Sequence, residues 1–292
     1  MNSAALTPKP ANRAYEVLFL GALLLGFVAV LYAGIFAGLW KQWWDDPNLS
    51  HGFMVPLVSA YVLWSQRDRL RNVPVQPSNF GLVIVLGGVT MLVAATLSAD
   101  LWVGRMSFLV VLAGLVLFLA GRRMLRAVAF PLGFLMFMIP LPGILYYQLT
   151  FPLQLIASRF ATSALSFLHV PITRAGNLLI LPNCTLEVAE ACSGIRSLFS
   201  IVALAVAYGY LFEARLWKRI VLAVLMVPVA VACNGLRLVG TGLISYFAGP
   251  EFALGFFHTF SGWLIFLMAL ALMILASWIL QVIDFRWSHA RC

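Results

Sequence analysis

Two long apolar runs stand side by side in residues 80–126, FGLVIVLGGVTMLVAATLSADLWVGRMSFLVVLAGLVLFLAGRRMLR. The runs cover 80–97 and 103–120, and each approaches the roughly 20 apolar residues that a helix needs to cross a bilayer. A short polar stretch around Asp100 separates them, and the second run is followed by Arg122, Arg123 and Arg126. This segment predicts two consecutive membrane-spanning helices.

The composition of the whole chain extends this interpretation. Of the 292 residues, 63% are hydrophobic and 10% are charged, against roughly 25% charged in soluble domains. The spans are expected to be helices, because isolated strands cannot satisfy their backbone groups in lipid and the sequence lacks the alternation of a membrane barrel. The net charge of +9 falls in short clusters between apolar runs, as in cytoplasmic loops. We therefore expect an all-α polytopic protein with the lipid bilayer as a partner and no nucleic acid.

Counting the apolar runs gives about eight predicted spans. With the N-terminus inside, the basic clusters fall on the cytoplasmic side and the acidic or neutral loops fall outside. Residues 1–15 and 286–292 are then cytoplasmic tails around a single membrane domain, 16–285, whose first run is a retained span rather than a cleaved signal peptide. The predicted spans are about 16–39, 52–64, 80–97, 103–120, 127–145, 193–212, 217–238 and 260–282.

Residues 146–169 decide the topology of the second half of the chain. They are moderately apolar but contain two glutamines, an arginine and several hydroxyl groups. As a full span they would place the charged cluster at 213–219 outside, so an interfacial or re-entrant helix on the outer side agrees better with the charge bias. Residues 170–190 then form an outer loop, in which alternating apolar residues around Gly176 and Asn177 indicate a small hairpin.

Polar groups crowd the start of the sixth predicted span in EVAEACSGIRSLFS, residues 187–200. At a helix start the positive end of the dipole favours the thiolate of Cys192, and Arg196 one turn later adds positive charge on the same side. An ionised Glu190 nearby acts in the opposite sense. A lone cysteine in a helix is more often a small apolar filler, so its neighbours decide the interpretation.

Other polar residues are predicted at the same depth, near the outer face, where each is costly in lipid unless it lines a cavity. Arg237, with Asn234 one turn earlier, either snorkels to the interface or acts as a permanent cation that stabilises an oxyanion. His258 begins the eighth span and can exchange a proton near neutral pH. Ser261 is three residues further along the same helix, which is poor geometry for a nucleophile–base pair. His51, at the entrance to the second span, is a candidate to line the site.

The cysteines and other potential ligands of the sequence bear on disulfide, metal and cofactor sites. Cys184 and Cys192 share the predicted outer face, where a structural disulfide is a competing interpretation. The sequence has no C-x-x-C or histidine-rich spacing suited to zinc, no phosphate-binding glycine loop and no acidic pair suited to a metal-dependent nuclease. We therefore expect neither a metal nor another cofactor.

Three separated motifs, in order, resemble the exosortase/archaeosortase family of bacterial and archaeal inner membranes. They are EACSGIRSL at 190–198, NGLR at 234–237 and the segment around His258, while DPNLSHGFMVPLVSAYVLW at 46–64 is similar to the family's N-terminal signature. The resemblance implies a cysteine peptidase and transpeptidase with Cys192 as nucleophile, Arg237 as catalytic arginine and His258 as the third member.

The resemblance also implies the substrates and the location of this activity. The substrates would be secreted proteins with a C-terminal signal made of a Pro-Glu-Pro motif, an apolar span and a basic tail (PEP-CTERM proteins). The family occurs beside exopolysaccharide gene clusters, and its site would face the periplasm from the bacterial inner membrane. Supporting or site-lining roles are predicted for Asn234, Arg196, Glu190 and His51.

Two other functions stay open at the level of sequence. A membrane thiol oxidoreductase would use Cys184 and Cys192 as a redox pair, usually with a second pair and a quinone. A solute transporter would bind its substrate through the intramembrane residues Arg237 and Asn234. The three functions differ in which cysteine they require.

Overall fold

The fold was analysed in a computed structural model, which describes residues 21–24, 26–46, 49–188, 195–254 and 256–289. Side chains are described for the same residues except 195–197, 254, 256–259 and 285–289. The chain divides into two compact units, Met1–Pro140 and Leu141–Cys292. The predicted bounds of a single membrane domain, 16–285, stay a prediction.

The described part of the chain has four helices that are long and apolar enough to cross a membrane. Two bent helix pairs, Gly21–Leu31 with Ala33–Asp45 and Ala129–Met138 with Gly143–Phe167, raise that number to six if each pair is one span. The chain is therefore a multi-pass α-helical membrane protein, and the prediction of eight spans is not confirmed. The four long spans lie in Phe80–Ser98, Leu101–Ala120, Leu216–Ala248 and Phe260–Asp284.

The regular elements of the first unit are all helices within its described residues. Its α-helices are connected by short turns and by two 3₁₀ helices, Ser50–Phe53 and Leu135–Met138. In chain order the α-helices are α1 (Gly21–Leu31), α2 (Ala33–Asp45), α3 (Met54–Ser65), α4 (Arg67–Arg71), α5 (Phe80–Ser98), α6 (Leu101–Ala120), α7 (Arg122–Ala127) and α8 (Ala129–Phe134).

Helices α5 and α6 form the hairpin that residues 80–126 predict, with bounds close to the predicted ones. Ala99 adopts the left-handed conformation at the end of α5 (φ 54°), and the Asp100 carboxylate then caps α6 by accepting from the backbone N–H groups of Trp102 and Val103. The two helices approach closely, because a Cβ atom on Gly114 would lie 2.8 Å from the backbone nitrogen of Val85. Small residues at such positions let helices pack tightly in lipid.

We expect Gly114→Ala to lower the free energy of unfolding by about 1–3 kcal/mol, because the added methyl group collides with the backbone of α5. Gly87→Ala is the matched control, since a Cβ at Gly87 meets nothing within 4 Å. Thermal unfolding of the two purified variants in detergent measures the difference. Equal midpoints for the two variants would contradict the close approach.

The first two predicted spans need correction. The first was expected to end at residue 39, but α2 continues to Asp45 and contains Trp40, Trp43 and Trp44. The Trp43 indole N–H donates to the Met138 carbonyl at 3.1 Å, which ties this end of α2 to the interior of the unit. The second predicted span, 52–64, corresponds to α3, whose 12 residues extend only about 18 Å, short of the roughly 30 Å apolar layer.

The fifth predicted span, 127–145, is not one continuous helix. It is broken at residues 139–142, between the 3₁₀ helix Leu135–Met138 and the next α-helix, which begins at Gly143. Ile139 precedes Pro140 and is extended (φ −95°, ψ 117°), and Pro142 is extended as well (φ −55°, ψ 139°). Proline removes a backbone donor and disfavours the helical conformation of the residue before it, so two prolines in three residues end the helix.

The second unit combines five helices with a small sheet. Its elements are α9 (Gly143–Phe167), β1 (Thr173–Ala175), β2 (Leu178–Leu181), β3 (Cys184–Glu187), α10 (Ile195–Phe212), α11 (Leu216–Ala248), α12 (Pro250–Leu254) and α13 (Phe256–His289). Residues 146–169 therefore lie mostly in one 25-residue helix. With Ala129–Met138 this helix has the composition of a broken span or of a re-entrant loop, so its interfacial placement stays a prediction.

The three strands form an antiparallel sheet in the order β1-β2-β3. The sequence predicts a single small hairpin at 170–190, and the structure adds a third strand to it. Gly176 adopts a positive φ of 65° in the turn between β1 and β2. Leu179, Leu181 and Leu186 of the sheet pack with buried residues of α9 and α11 in one apolar cluster. The side of the membrane on which the sheet lies stays a prediction.

Helix α11 is the centre of the second unit and is longer than predicted. It runs for 33 residues, about 50 Å, so it continues well past the expected end at residue 238. Helix α9 lies close against it, because a Cβ atom on Gly235 or Gly242 would lie 2.7 Å from the side chains of Phe160 and Leu165 respectively. Helices α10 and α13 share a second apolar cluster with α11, which includes Ile201, Leu222, Met226, Ile265 and Met273.

Two charged residues of the 213–219 cluster, Glu213 and Lys218, are buried in a polar network, whereas Arg215 is 54% exposed. Glu213 is 2% exposed and Lys218 is 6% exposed. The Lys218 ammonium lies 2.7 Å from Asp284 Oδ2 and 3.8 Å from Glu213 Oε2, and Arg215 pairs with the same aspartate. The Glu213 carboxylate also accepts hydrogen bonds from Ser277 (2.5 Å) and Gln281 (3.1 Å). The network joins the α10–α11 connection to the C-terminal part of α13.

We expect Lys218→Met to destabilise the protein by about 3–5 kcal/mol, because it leaves the buried Glu213 carboxylate without a cation, while Asp284 keeps only the half-exposed Arg215. The control is Asp68→Asn, which removes the exposed Arg67–Asp68 pair and should change stability by about 0–1 kcal/mol. Thermal unfolding in detergent compares the two. A Lys218→Met protein as stable as the Asp68→Asn protein would contradict a structural role for the network.

Candidate functional site

Arg237 is the charged side chain that the structure fixes most clearly near the predicted site. It lies in α11, and its Nε donates a hydrogen bond to the Ser261 hydroxyl of α13 at 3.2 Å. Ser261 is 3% exposed, so the bond is shielded from the surroundings of the protein. A Cβ atom on the next residue, Gly262, would lie 3.8 Å from Nη2 of Arg237, which shows how close the guanidinium comes to the backbone of α13.

The depth of Arg237 follows from the second contact between the same two helices. Lys218 of α11 meets Asp284 of α13, and Arg237 of α11 meets Ser261 of α13, so the two helices are antiparallel. The step from Lys218 to Arg237 is 19 residues, or about 28 Å of helix. That is close to the roughly 30 Å thickness of the hydrocarbon core. The two polar contacts therefore lie near opposite ends of an apolar layer formed by α11 and α13.

His258 belongs to the same region by its position in the chain. It is the third residue of α13, one helical turn before Ser261, and residues three apart are neighbours on a helix surface. The structure thus brings Arg237 to the turn that follows His258. The side chain of His258 lies outside the described side chains.

The remaining predicted residues of the nucleophile segment are only partly covered. Cys192 and Glu190 lie outside the described residues, three and five positions before the start of α10 at Ile195. Arg196 is in the first turn of α10, but its side chain is outside the described side chains. Their predicted roles stay predictions.

Asn234 and His51 are described, but in different units. Asn234 is buried in α11, one turn before Arg237. His51 is half-buried in the 3₁₀ helix Ser50–Phe53 of the first unit. The structure therefore brings Asn234 next to Arg237 along one helix, whereas the site-lining role of His51 stays a prediction.

The described cysteines are both free thiols. Cys184 Sγ lies 2.8 Å from the Ser245 hydroxyl of α11, and Asn183 of the preceding turn donates to the Tyr246 carbonyl at 3.3 Å. Cys233 is buried in the apolar cluster of α10, α11 and α13. Cys184 thus helps to hold the sheet on α11. Within the described ranges, no group of three or more His, Cys, Asp or Glu side chains could hold a metal ion.

Sequence reasoning missed the role of Ser261. It considered this residue only as a partner of His258, and the structure instead makes its hydroxyl the acceptor for Arg237. The available signal was the pair Ser261-Gly262 inside an apolar helix, because small residues there let a long side chain from another helix lie against the backbone.

A sequence model of transmembrane exosortases matches residues 43–275, more than three quarters of the chain. The chain belongs to the transmembrane exosortase family. The match takes in the sequence positions of Cys192, Arg237 and His258 and extends across both units of this exosortase. Comparison with curated proteins found no match, and comparison with solved structures found none either.

We expect Ser261→Ala to lower the free energy of unfolding of the exosortase by about 1–3 kcal/mol, because one guanidinium N–H loses its buried acceptor. Ser98→Ala is the control, since the Ser98 hydroxyl is exposed and bonds only within its own helix. The comparison uses thermal unfolding in detergent, repeated with Ser261→Thr, which keeps the hydroxyl. If Ser261→Ala and Ser98→Ala unfold at the same temperature, the contact does not hold Arg237.

Proposed function

We propose that this exosortase is a membrane-embedded cysteine peptidase and transpeptidase in which Cys192, Arg237 and His258 carry the reaction. The observation that carries the proposal is the bond between Arg237 and Ser261, because it holds a permanent cation beside the helical turn that contains His258. Family membership gives the proposal its chemical class. The proposed substrates are membrane-tethered proteins whose C-terminal signal has a Pro-Glu-Pro motif, an apolar span and a basic tail.

The packing of α10 on α11 supports the inclusion of Cys192. A Cβ atom on Gly209 of α10 would lie 3.3 Å from the Cα atom of Arg219 in α11. Gly209 and Arg219 are therefore side by side in this antiparallel helix pair. Stepping 14 residues back along α10 from Gly209 reaches its first residue, Ile195, and stepping 14 residues forward along α11 from Arg219 reaches Cys233, one turn before Arg237. The start of α10 is thus within about one turn of the level of Arg237, which supports the proposal that the segment preceding α10 in the chain belongs to the same site.

The sheet also supports the inclusion of Cys192, because its last strand precedes the nucleophile segment in the chain. Strand β3 ends at Glu187, and its first residue, Cys184, is bonded to Ser245 near the C-terminal end of α11. Ser245 is eight residues, about 12 Å, beyond Arg237. The strand that precedes the nucleophile segment in the chain is therefore held against the part of α11 just beyond Arg237, which supports the proposal.

The proposed reaction begins with attack of the Cys192 thiolate on the scissile carbonyl carbon of the substrate. The carbonyl π electrons move to oxygen, and the Arg237 guanidinium stabilises the oxyanion that results. As the C–N bond breaks, His258 in its charged form gives a proton to the leaving amine. A thioester between Cys192 and the N-terminal part of the substrate is left, and the C-terminal part departs.

The second half of the reaction releases the product and restores the enzyme. An amine of an acceptor attacks the thioester carbonyl and gives its proton to neutral His258, which forms an amide and expels the thiolate. Water in the place of the amine gives a carboxylic acid, and the outcome is simple proteolysis. In this proposal Arg196 and Glu190 set the charge around the thiol, and Asn234 lines the site.

The proposed location follows from the charge pattern of the chain. The exosortase would lie in a bacterial inner membrane with both termini cytoplasmic and with Cys192, Arg237 and His258 at the periplasmic face. The distance of about 28 Å along α11 between Lys218 and Arg237 supports this arrangement, because it separates the 213–219 cluster from the proposed site by a bilayer core.

The test is co-expression with a reporter that carries a Pro-Glu-Pro motif, an apolar span and a basic tail, followed by immunoblotting for its size. We expect Cys192→Ala to abolish processing, and we expect Arg237→Gln and His258→Gln to reduce it by about 10²-fold or more. Cys184→Ala is the matched cysteine control and should retain processing. Each variant must be present in the membrane at the level of the unchanged protein.

The same variants separate the rival functions. A thiol oxidoreductase predicts that Cys184→Ala is as damaging as Cys192→Ala, and a transporter predicts that Cys192→Ser is tolerated. The bond between Cys184 and Ser245 favours a packing role for that thiol. Processing that survives Cys192→Ala would exclude the proposed nucleophile.

A further inference from the structure

Exposed arginines occur in two short helices of the first unit, α4 and α7. The α5–α6 hairpin separates these helices in the chain, so their order alone does not show whether their charges form one surface. Three contacts place both helices at the same end of the unit. The six residues, called the arginine surface below, are Arg67, Arg69, Arg71, Arg122, Arg123 and Arg126.

The hairpin provides two of these contacts. A Cβ atom on Gly81, at the start of α5, would collide with the backbone of Phe118 near the end of α6. The backbone N–H of Gln76, between α4 and α5, donates to the Ala120 carbonyl at 3.1 Å. The connection from α4 to α5 therefore passes the end of α6, where α7 begins.

Helix α3 provides the third contact. Its Ser59 hydroxyl donates to the Pro131 carbonyl of α8 at 3.0 Å, and the 3₁₀ helix before α3 contacts the 3₁₀ helix after α8, so α3 and α8 are antiparallel. The end of α3 at Ser65 is six residues beyond Ser59, and Leu125 of α7 is six residues before Pro131. The start of α4 is therefore level with the middle of α7.

The arginine surface has little negative charge of its own. Asp68 is the one carboxylate in α4 and α7, and its Oδ1 lies 4.0 Å from Arg67 Nε. Among the described residues, none of the other five arginines is in an ion pair. Asp100, the next carboxylate along the chain, caps α6 at the opposite end of the hairpin. The positive charge of the surface is therefore available to an anion from outside the protein.

The arginine surface also lies at the depth of the lipid head groups. Helices α5 and α6 are of bilayer length, and α7 begins directly after Gly121, which follows α6. Arg67 lies over the exposed ring of Trp64, with Cζ 4.7 Å from the ring centroid, and its Nη1 donates to the Trp64 carbonyl at 3.2 Å. Tryptophan is enriched at the membrane–water interface. Both ends of the surface therefore border the apolar layer where lipid phosphates are found.

We propose that the arginine surface binds the phosphate groups of anionic lipids. A guanidinium forms paired hydrogen bonds with phosphate oxygens, and each arginine near an anionic bilayer surface strengthens binding by about fivefold. Charge bias alone orients a chain during insertion and requires no lipid to stay bound. Bound lipid would in addition hold the first unit at a fixed depth in the bilayer. This binding is independent of the proposed peptidase reaction.

The test measures the binding of tail-labelled phospholipids to the purified full-length protein, immobilised in a neutral detergent. Phosphatidylglycerol and phosphatidylcholine with the same acyl chains are the two probes, because they differ in head-group charge. We expect phosphatidylglycerol to bind more tightly. Arg69→Gln with Arg71→Gln should weaken its binding by about tenfold or more, and so should Arg122→Gln with Arg123→Gln, because each pair removes two cations.

Two sets of variants serve as controls. Lysine at the same four positions keeps the charge and should keep most of the affinity for phosphatidylglycerol. Arg159→Gln with Arg174→Gln removes two exposed arginines from the second unit instead, and should leave the binding unchanged.

Four results would overturn the proposal. The first is equal binding of the two lipids by the unchanged protein, and the second is an equal loss in the control that lacks Arg159 and Arg174. The third is a loss confined to one of the two pairs, which would exclude a joint surface of α4 and α7. The fourth is displacement of phosphatidylglycerol by inorganic phosphate at constant ionic strength, which would assign the surface to a soluble anion.

The unchanged protein decides the question if the glutamine variants do not reach the membrane. Its binding of phosphatidylglycerol should weaken strongly at about 1 M salt, where charges are screened beyond about 3 Å, and its binding of phosphatidylcholine should not. Binding of phosphatidylglycerol that is insensitive to salt would contradict the proposal.

Discussion

The second unit depends on how α13 is held against α11. Apolar helices in lipid gain little from burying apolar surface against each other, because lipid tails are as apolar as the side chains. Polar contacts therefore fix the register of such a pair, and here there is one at each end. The Lys218–Asp284 ion pair and the Arg237–Ser261 hydrogen bond hold the two helices antiparallel, with an apolar cluster between them. A charge held in this way has a defined position, which oxyanion stabilisation requires.

Long apolar runs made part of the fold predictable from sequence. Helices α5 and α6 agree with their predicted bounds because each run is continuous and of bilayer length. The run at 127–145 is equally apolar, but Pro140 and Pro142 divide it, and hydropathy alone does not register a backbone constraint. The charged cluster at 213–219 was predicted to be a loop, because a sequence pattern does not show the distant residue with which its lysine pairs. Its carboxylate partner, Asp284, is 66 residues further along the chain than Lys218, beyond any local pattern.

The candidate site, like the fold, could be predicted from the sequence only in part. Sequence singled out Arg237 and Asn234 because polar residues inside an apolar helix are costly and call for an explanation. It could not identify Ser261 as the acceptor for Arg237, since that contact depends on the register of two helices whose residues are 24 positions apart. Arg105, which is buried in α6, was overlooked within a predicted span, although the argument applied to Arg237 applies to it equally. Burial, which only the structure supplies, is what separates an enclosed arginine from one that extends to the interface.

The buried network around Glu213 also bears on how the chain is made. A ribosome delivers α11 before α13, so the α10–α11 connection is complete while Asp284 is still to come. At that stage Glu213 still lacks the hydrogen bonds that Ser277 and Gln281 of α13 donate to its carboxylate, and Lys218 lacks its closer carboxylate partner. Burying a carboxylate and an ammonium is costly until those partners are present. Docking of α13 is therefore the step that allows the charged groups between α10 and α11 to be buried.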